Sequence, residues 1–144
     1  MIHSAISRTL RLIMILVPIL ALCSCEKQYD VEEYMREIEG NYINNHLDYP
    51  AEVVKEKDGW VFRFHFPITL PNGASKSYVF TQKVTWNPIV GEYAFQTLSK
   101  KECDLLNKRP EWVMTKCNGK RITLIFKNRN DSYSGSYYSW TKVE

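Results

Sequence analysis

From residue 40 to the end of the chain, apolar and polar side chains alternate with a period of two. Trp60, Phe62, Phe64 and Phe66 alternate with Val61, Arg63 and His65, and Tyr78, Phe80, Gln82, Val84 and Trp86 with Ser77, Val79, Thr81, Lys83 and Thr85. Ile122, Leu124 and Phe126 do the same against Arg121, Thr123, Ile125 and Lys127. Successive side chains of an extended chain point to opposite faces, so each stretch predicts a strand with one apolar side. Asp58-Gly59 and Asn118-Gly119 are pairs that tolerate positive φ, which predicts type I′ hairpin turns. Pro71-Asn72-Gly73, Asn87-Pro88 and residues 128–132 predict longer turns. The resulting strands are 52–57, 60–67, 77–86, 91–98, 111–117, 120–127 and 133–143, with a further one at 40–46.

Two segments break that rhythm. Between Asp30 and Glu39 the apolar residues Val31, Tyr34, Met35 and Ile38 recur at i, i+3, i+4 and i+7, an amphipathic helix. Asp30 and Glu33 have the spacing of a capping box, and Gly40 ends the turn series. Its polar side carries Glu32, Glu33, Glu37 and Glu39 against Arg36, so anionic lipid would repel it, and its apolar side is expected to pack on the domain. Between Ser99 and Asn107, Ser99 with Glu102 predicts a second capped helix. The fold class is therefore mainly β. We expect an antiparallel meander of seven or eight strands, curled into a small barrel or stacked as a sandwich, with an N-terminal helix and a short helix before the last hairpins.

The first 25 residues follow neither pattern. Arg8 and Arg11 precede an unbroken apolar run from Leu12 to Leu22, interrupted in shape only by Pro18. As a helix, that run would cover roughly half of a ~30 Å hydrocarbon core, which is short for a membrane span and right for an export signal. Leu22-Cys23-Ser24-Cys25 resembles the lipobox of bacterial lipoprotein signal peptides, with an aliphatic residue three places before the cysteine and a small one directly before it. The resemblance implies cleavage before Cys25, a diacylglyceryl thioether on its sulfur and an acylated amino end. It divides the chain into a signal peptide (1–24), a lipidated tether (25–29) and a single β-rich domain (30–144). It also implies a place in the cell envelope, lipid-anchored at the outer membrane, on the periplasmic face or the cell surface. Within the domain, Gly40-Asn41-Tyr42 and the closing strand from Tyr137 to Val143 resemble in outline the ends of lipocalin-type barrels.

Charge narrows the function classes. The whole chain carries +3, but without Arg8 and Arg11 the mature part carries +1. A nucleic-acid partner is not expected, since phosphate neutralisation calls for a concentrated basic face. Metal and cofactor sites are not expected either. His46 and His65 are the mature region's histidines, and no C-x-x-C is present. Catalytic residues are likewise not expected. Ser132, Ser134, Ser136 and Ser139 alternate like surface strand residues and no G-x-S-x-G elbow occurs. Asp58, Glu92, Glu102, Asp104 and Glu111 mostly read as turn or capping acids. Cys103 and Cys117, in an exported protein, are expected to form a disulfide worth roughly 3 kcal/mol for a loop of about 15 residues.

Aromatic residues make up 13% of the chain, and they are its main functional signal. Trp86, Tyr137, Tyr138 and Trp140 are the candidate contacts for a small ligand, a glycan or a protein, since exposed rings stack on sugars and anchor interfaces. The expected function is a membrane-anchored lipoprotein with a non-enzymatic binding or accessory role in the envelope. One alternative is a small inhibitor or immunity protein that plugs its target with 70–77 or 87–91. Another is a hydrolase acting on envelope or glycan substrates.

Overall fold

The computed structural model describes residues 31–44, 49–128 and 137–144, the side chain of Tyr137 excepted. The leader, Cys25, the tether, His46, Asp48 and the serines at 132, 134 and 136 lie outside the described residues. Among the described residues, eight antiparallel strands form one sheet: β1 (Gly40–Asn44), β2 (Ala51–Glu56), β3 (Gly59–Thr69), β4 (Ser75–Asn87), β5 (Glu92–Phe95), β6 (Trp112–Asn118), β7 (Arg121–Lys127) and β8 (Tyr137–Lys142). Helix α1 covers 31–38 and helix α2 covers Lys100–Leu105. The strand order is β5-β4-β3-β2-β1-β8-β7-β6, a meander whose first strand pairs with its last. The sheet curls into a nearly closed barrel, which decides between the two expected architectures.

The period-two pattern sets what faces inward. Phe62, Phe64, Phe66 and Ile68 of β3 are buried, as are Phe80, Gln82 and Val84 of β4, Ile122, Leu124 and Phe126 of β7, and Trp140 of β8. Their rings fill the barrel: Phe64 stacks on Phe80 at 5.1 Å between centroids, and Trp140 packs on Phe64 at 5.2 Å and Phe62 at 5.9 Å. Each end is stoppered by a helix. Met35 and Ile38 of α1 plug one end, and Leu98, Cys103 and Leu106 around α2 plug the other. Both bonds of the α2 capping box form, Ser99 N–H to Glu102 Oε1 at 2.9 Å and Glu102 N–H to Ser99 Oγ at 3.2 Å.

Closure is incomplete between β5 and β6. Strand β5 stops at Phe95, short of the expected residue 98, because the chain turns away after one more bond, Gln96 N–H to the Lys83 carbonyl at 2.7 Å. Gln82 then bridges the gap with its side chain. Its Nε2 donates to the Gln96 carbonyl at 2.7 Å, and its Oε1 accepts from Thr115 Oγ1 of β6 at 3.0 Å. Gln82 is 1% exposed, the buried polar side chain among the described residues, and its amide has a partner at both atoms.

Two turn expectations are corrected. Glu56 pairs with Gly59, so Lys57-Asp58 occupies the middle of the first turn instead of Asp58-Gly59. Asn118 pairs with Arg121, which puts Gly119-Lys120 in the middle of the second. There Gly119 alone has positive φ, +62°, the pattern of a type II′ turn and not of type I′. The Cys103–Cys117 disulfide is also overturned, since both residues are free thiols. Strand β6 starts near α2 and carries Cys117 toward the opposite end, five residues beyond Trp112 at about 3.3 Å each, too far for a bridge that needs Cα atoms within about 7 Å.

Candidate functional site

The end closed by α1 gathers the turns β2–β3, β4–β5 and β6–β7, the chain's entry into the domain and its C-terminal residues. Because α1 lies across this mouth, the edge of its apolar stripe meets strand residues from the far side of the sheet. Tyr34 stacks face to face on Trp86, with centroids 4.0 Å apart and planes 8° from parallel. Tyr93, beside Trp86 across the β4–β5 ladder, meets the same indole edge-on at 4.8 Å. The Tyr93 hydroxyl donates to the Tyr34 carbonyl at 2.7 Å, which fastens the helix to the hairpin.

Beside these rings opens a cleft of about 550 Å³, with Glu37, Glu92, Asn118 and Lys120 on its rim and Cys117 in its wall. Burial pushes the Cys117 thiol up to about 11, and burial likewise raises the Tyr93 hydroxyl above its ordinary range. A thiol that stays protonated is a poor nucleophile and metal ligand. His65 lies on the outer side of β3, near Ser77 Oγ at 3.5 Å, while Cys117 faces inward, so these two side chains do not meet. The two carboxylates of the cleft, Glu37 and Glu92, are exposed. Glu102 caps α2, and among the described residues no three His, Cys, Asp or Glu side chains are grouped to hold a metal ion.

Above the cleft rises the β4–β5 turn. Asn87 Oδ1 accepts the Ile89 N–H at 3.0 Å, the Asn87 carbonyl accepts the Gly91 N–H at 2.9 Å, and Gly91 takes φ +69°, which a side chain would strain. Pro88 fixes one more torsion. This braced turn holds Ile89 92% exposed and Val90 63% exposed, the most exposed large apolar residues of the described chain.

The expected contact residues scatter. Trp86 sits in the cleft and is half-buried. Trp140 is fully buried, with its indole N–H on the Tyr49 carbonyl at 3.3 Å, so it serves the core and not a ligand. Tyr138 points inward and packs edge-on against Phe66 at 4.8 Å. Tyr137 belongs to β8, and its side chain lies outside the described residues. Sequence reasoning missed Tyr34, Tyr93, Asn118 and Lys120, which only the folded sheet assembles. It named 87–91 as a plugging loop beside 70–77; the signal that separates the two is that two β-branched apolar residues stand between Asn87-Pro88 and Gly91, positions that turns usually fill with polar side chains. Comparison with known protein families, curated proteins and solved structures finds no match to this chain.

Proposed function

We propose that this chain is a lipid-anchored protein of the bacterial cell envelope with a non-enzymatic binding role, and that the mouth of the barrel is its contact surface. The anchor rests on Leu22-Cys23-Ser24-Cys25 and the apolar run before it. The single observation that carries the binding surface is the exposure of Ile89 and Val90 on a braced turn beside the aromatic cleft. A carrier of the lipocalin kind would keep its ligand inside the barrel, but here Phe62, Phe64, Phe80 and Trp140 occupy that space. Binding therefore belongs to the exterior. A second reading, an envelope inhibitor, is favoured by the same turn, whose fixed backbone suits insertion into the cleft of a hydrolase.

The test uses the full-length precursor in cells, fed a fatty-acid probe, with a photo-crosslinking residue in place of Ile89 or of Thr81 on the barrel wall. Fatty-acid labelling is expected to disappear in Cys25→Ala, and crosslinked adducts to form from position 89 and not from 81. Equal labelling of the Cys25→Ala variant would sink the anchor, and an adduct-free position 89 would sink the contact surface. An adduct containing a hydrolase would select the inhibitor reading.

A further inference from the structure

The apolar turn and the anchor leave the domain at the same end, and this juxtaposition points to the bilayer itself as the occupant of the mouth. Val31 lies six positions after Cys25, so the two Cα atoms are at most about 22 Å apart. Ile89 and Val90, in the β4–β5 turn at that end, are its most exposed apolar side chains. Tyr34, Trp86 and Tyr93 lie just behind them, aromatic rings with polar edges of the kind that settle at the headgroup level of membranes. Val143, also exposed, adds to the apolar rim where its N–H bonds the Asn41 carbonyl at 2.8 Å. We propose that the mouth docks on the membrane, with Ile89 and Val90 inserted at the boundary between headgroups and acyl chains. The proposal deepens the binding reading above and rests on its lipid anchor.

Charge selects the kind of surface. Glu32 is held between Lys55 at 3.0 Å and Arg36 at 3.2 Å, and Lys57, Lys120 and Lys142 stand against Asp58, Glu92 and Glu144 around the same rim, to which α1 adds the exposed Glu33, Glu37 and Glu39. Such a rim has no basic excess, so it gains nothing from an anionic surface and fits a zwitterionic one, such as phosphatidylethanolamine. The lipid supplies the local concentration and the turn sets the orientation. A single short tether would otherwise leave the barrel free to swivel.

The experiment uses purified, lipidated protein with Cys117→Ser, which leaves Cys103 buried, and carries an environment-sensitive dye at either Ile89→Cys or Thr81→Cys. Reconstitution into phosphatidylethanolamine–phosphatidylcholine vesicles is expected to raise emission from position 89 at least twofold. Lipids brominated high on the acyl chain are expected to quench it, and position 81 is expected to stay unchanged. An unchanged position 89 on protein that still carries its acyl chains would overturn docking and leave the anchor standing. Absence of acylation would overturn both. A rise at position 89 that needs added envelope protein and does not occur with vesicles alone would overturn docking in favour of a protein partner.

Discussion

At the α1 end of the barrel, Met35 and Ile38 turn inward as a stopper; at the α2 end, Leu98, Cys103 and Leu106 do the same. Beyond the stoppers the two ends differ. The β3–β4 turn at the α2 end closes on itself, with Leu70 N–H on the Ala74 carbonyl at 2.8 Å and Ala74 N–H on Asn72 Oδ1 at 3.0 Å. It presents Pro71, Asn72 and Gly73 to solvent. Of the exposed rings near that end, Trp112 lies under the Lys127 ammonium at 4.5 Å and Tyr78 packs edge-on against Phe80 at 4.8 Å. The α1 end instead leaves Ile89 and Val90 uncovered on a turn braced just as well. Folding demands the stoppers and the braces, and both ends have them. It does not demand two naked aliphatic side chains on a turn; Ile43 and Val79, exposed towards the α2 end, lie on strands, so the apolar turn at the α1 end is a mark of contact.

The comparison can be broken most forcefully at the stoppers. Met35→Ala and Leu106→Ala each remove a fully buried side chain, and each is expected to cost about 2–5 kcal/mol in urea unfolding with an unchanged slope. A loss under about 1 kcal/mol for Met35→Ala would mean that α1 is an appendage and that the ends are not equivalent stoppers. The seam joining them comes next. Gln82→Leu leaves the Gln96 carbonyl and the Thr115 hydroxyl without their partner and is expected to cost about 1–3 kcal/mol. Thr115→Val in the same background is expected to recover part of that loss, because it removes one of the stranded groups.

The smallest effect sharpens the contrast through the thiols. Cys117, in the cleft wall, is expected to alkylate in the native protein at a rate that climbs with pH until about 11, whereas Cys103 reacts only after unfolding. Both are expected to label in unfolded protein that has never met a reductant, and protection of the pair would restore the disulfide. The raised thiol has a sign for stability as well. The folded state holds the Cys117 proton more tightly than the unfolded chain, so its contribution is complete below pH 9 and is lost between 9 and 11. Cys117→Ala is expected to flatten that decline.

Local pattern made the strands legible. The aromatic alternation in Trp60–Phe66 predicts 60–67, and β3 runs Gly59–Thr69; of the stripe Val31, Tyr34, Met35, Ile38, α1 buries Met35 and Ile38, half-buries Val31 and leaves Tyr34 exposed at the edge. What local pattern does not carry is which distant strands meet. That β1 pairs with β8, and that the sheet opens between β5 and β6, depends on curvature summed over the whole sheet. The misplaced disulfide has the same origin, because cysteine count says nothing about which end of a strand a thiol reaches. Trp140 looked like a contact residue because an aromatic strand end reads alike whether it faces a ligand or a core. The cleft was illegible for a related reason: its residues come from α1, β4, β5, β6 and two turns, spread from Tyr34 to Lys120.

The side-chain bridge at the seam divides the molecule into a ribbon of five strands and a ribbon of three, welded along β1 and β8 and merely buttoned by Gln82 along the opposite edge. The stretch carrying α2 is thus the only covalent link across that seam and also the stopper of one end, so an insertion there is tolerated only where it leaves Leu98, Cys103 and Leu106 in the core.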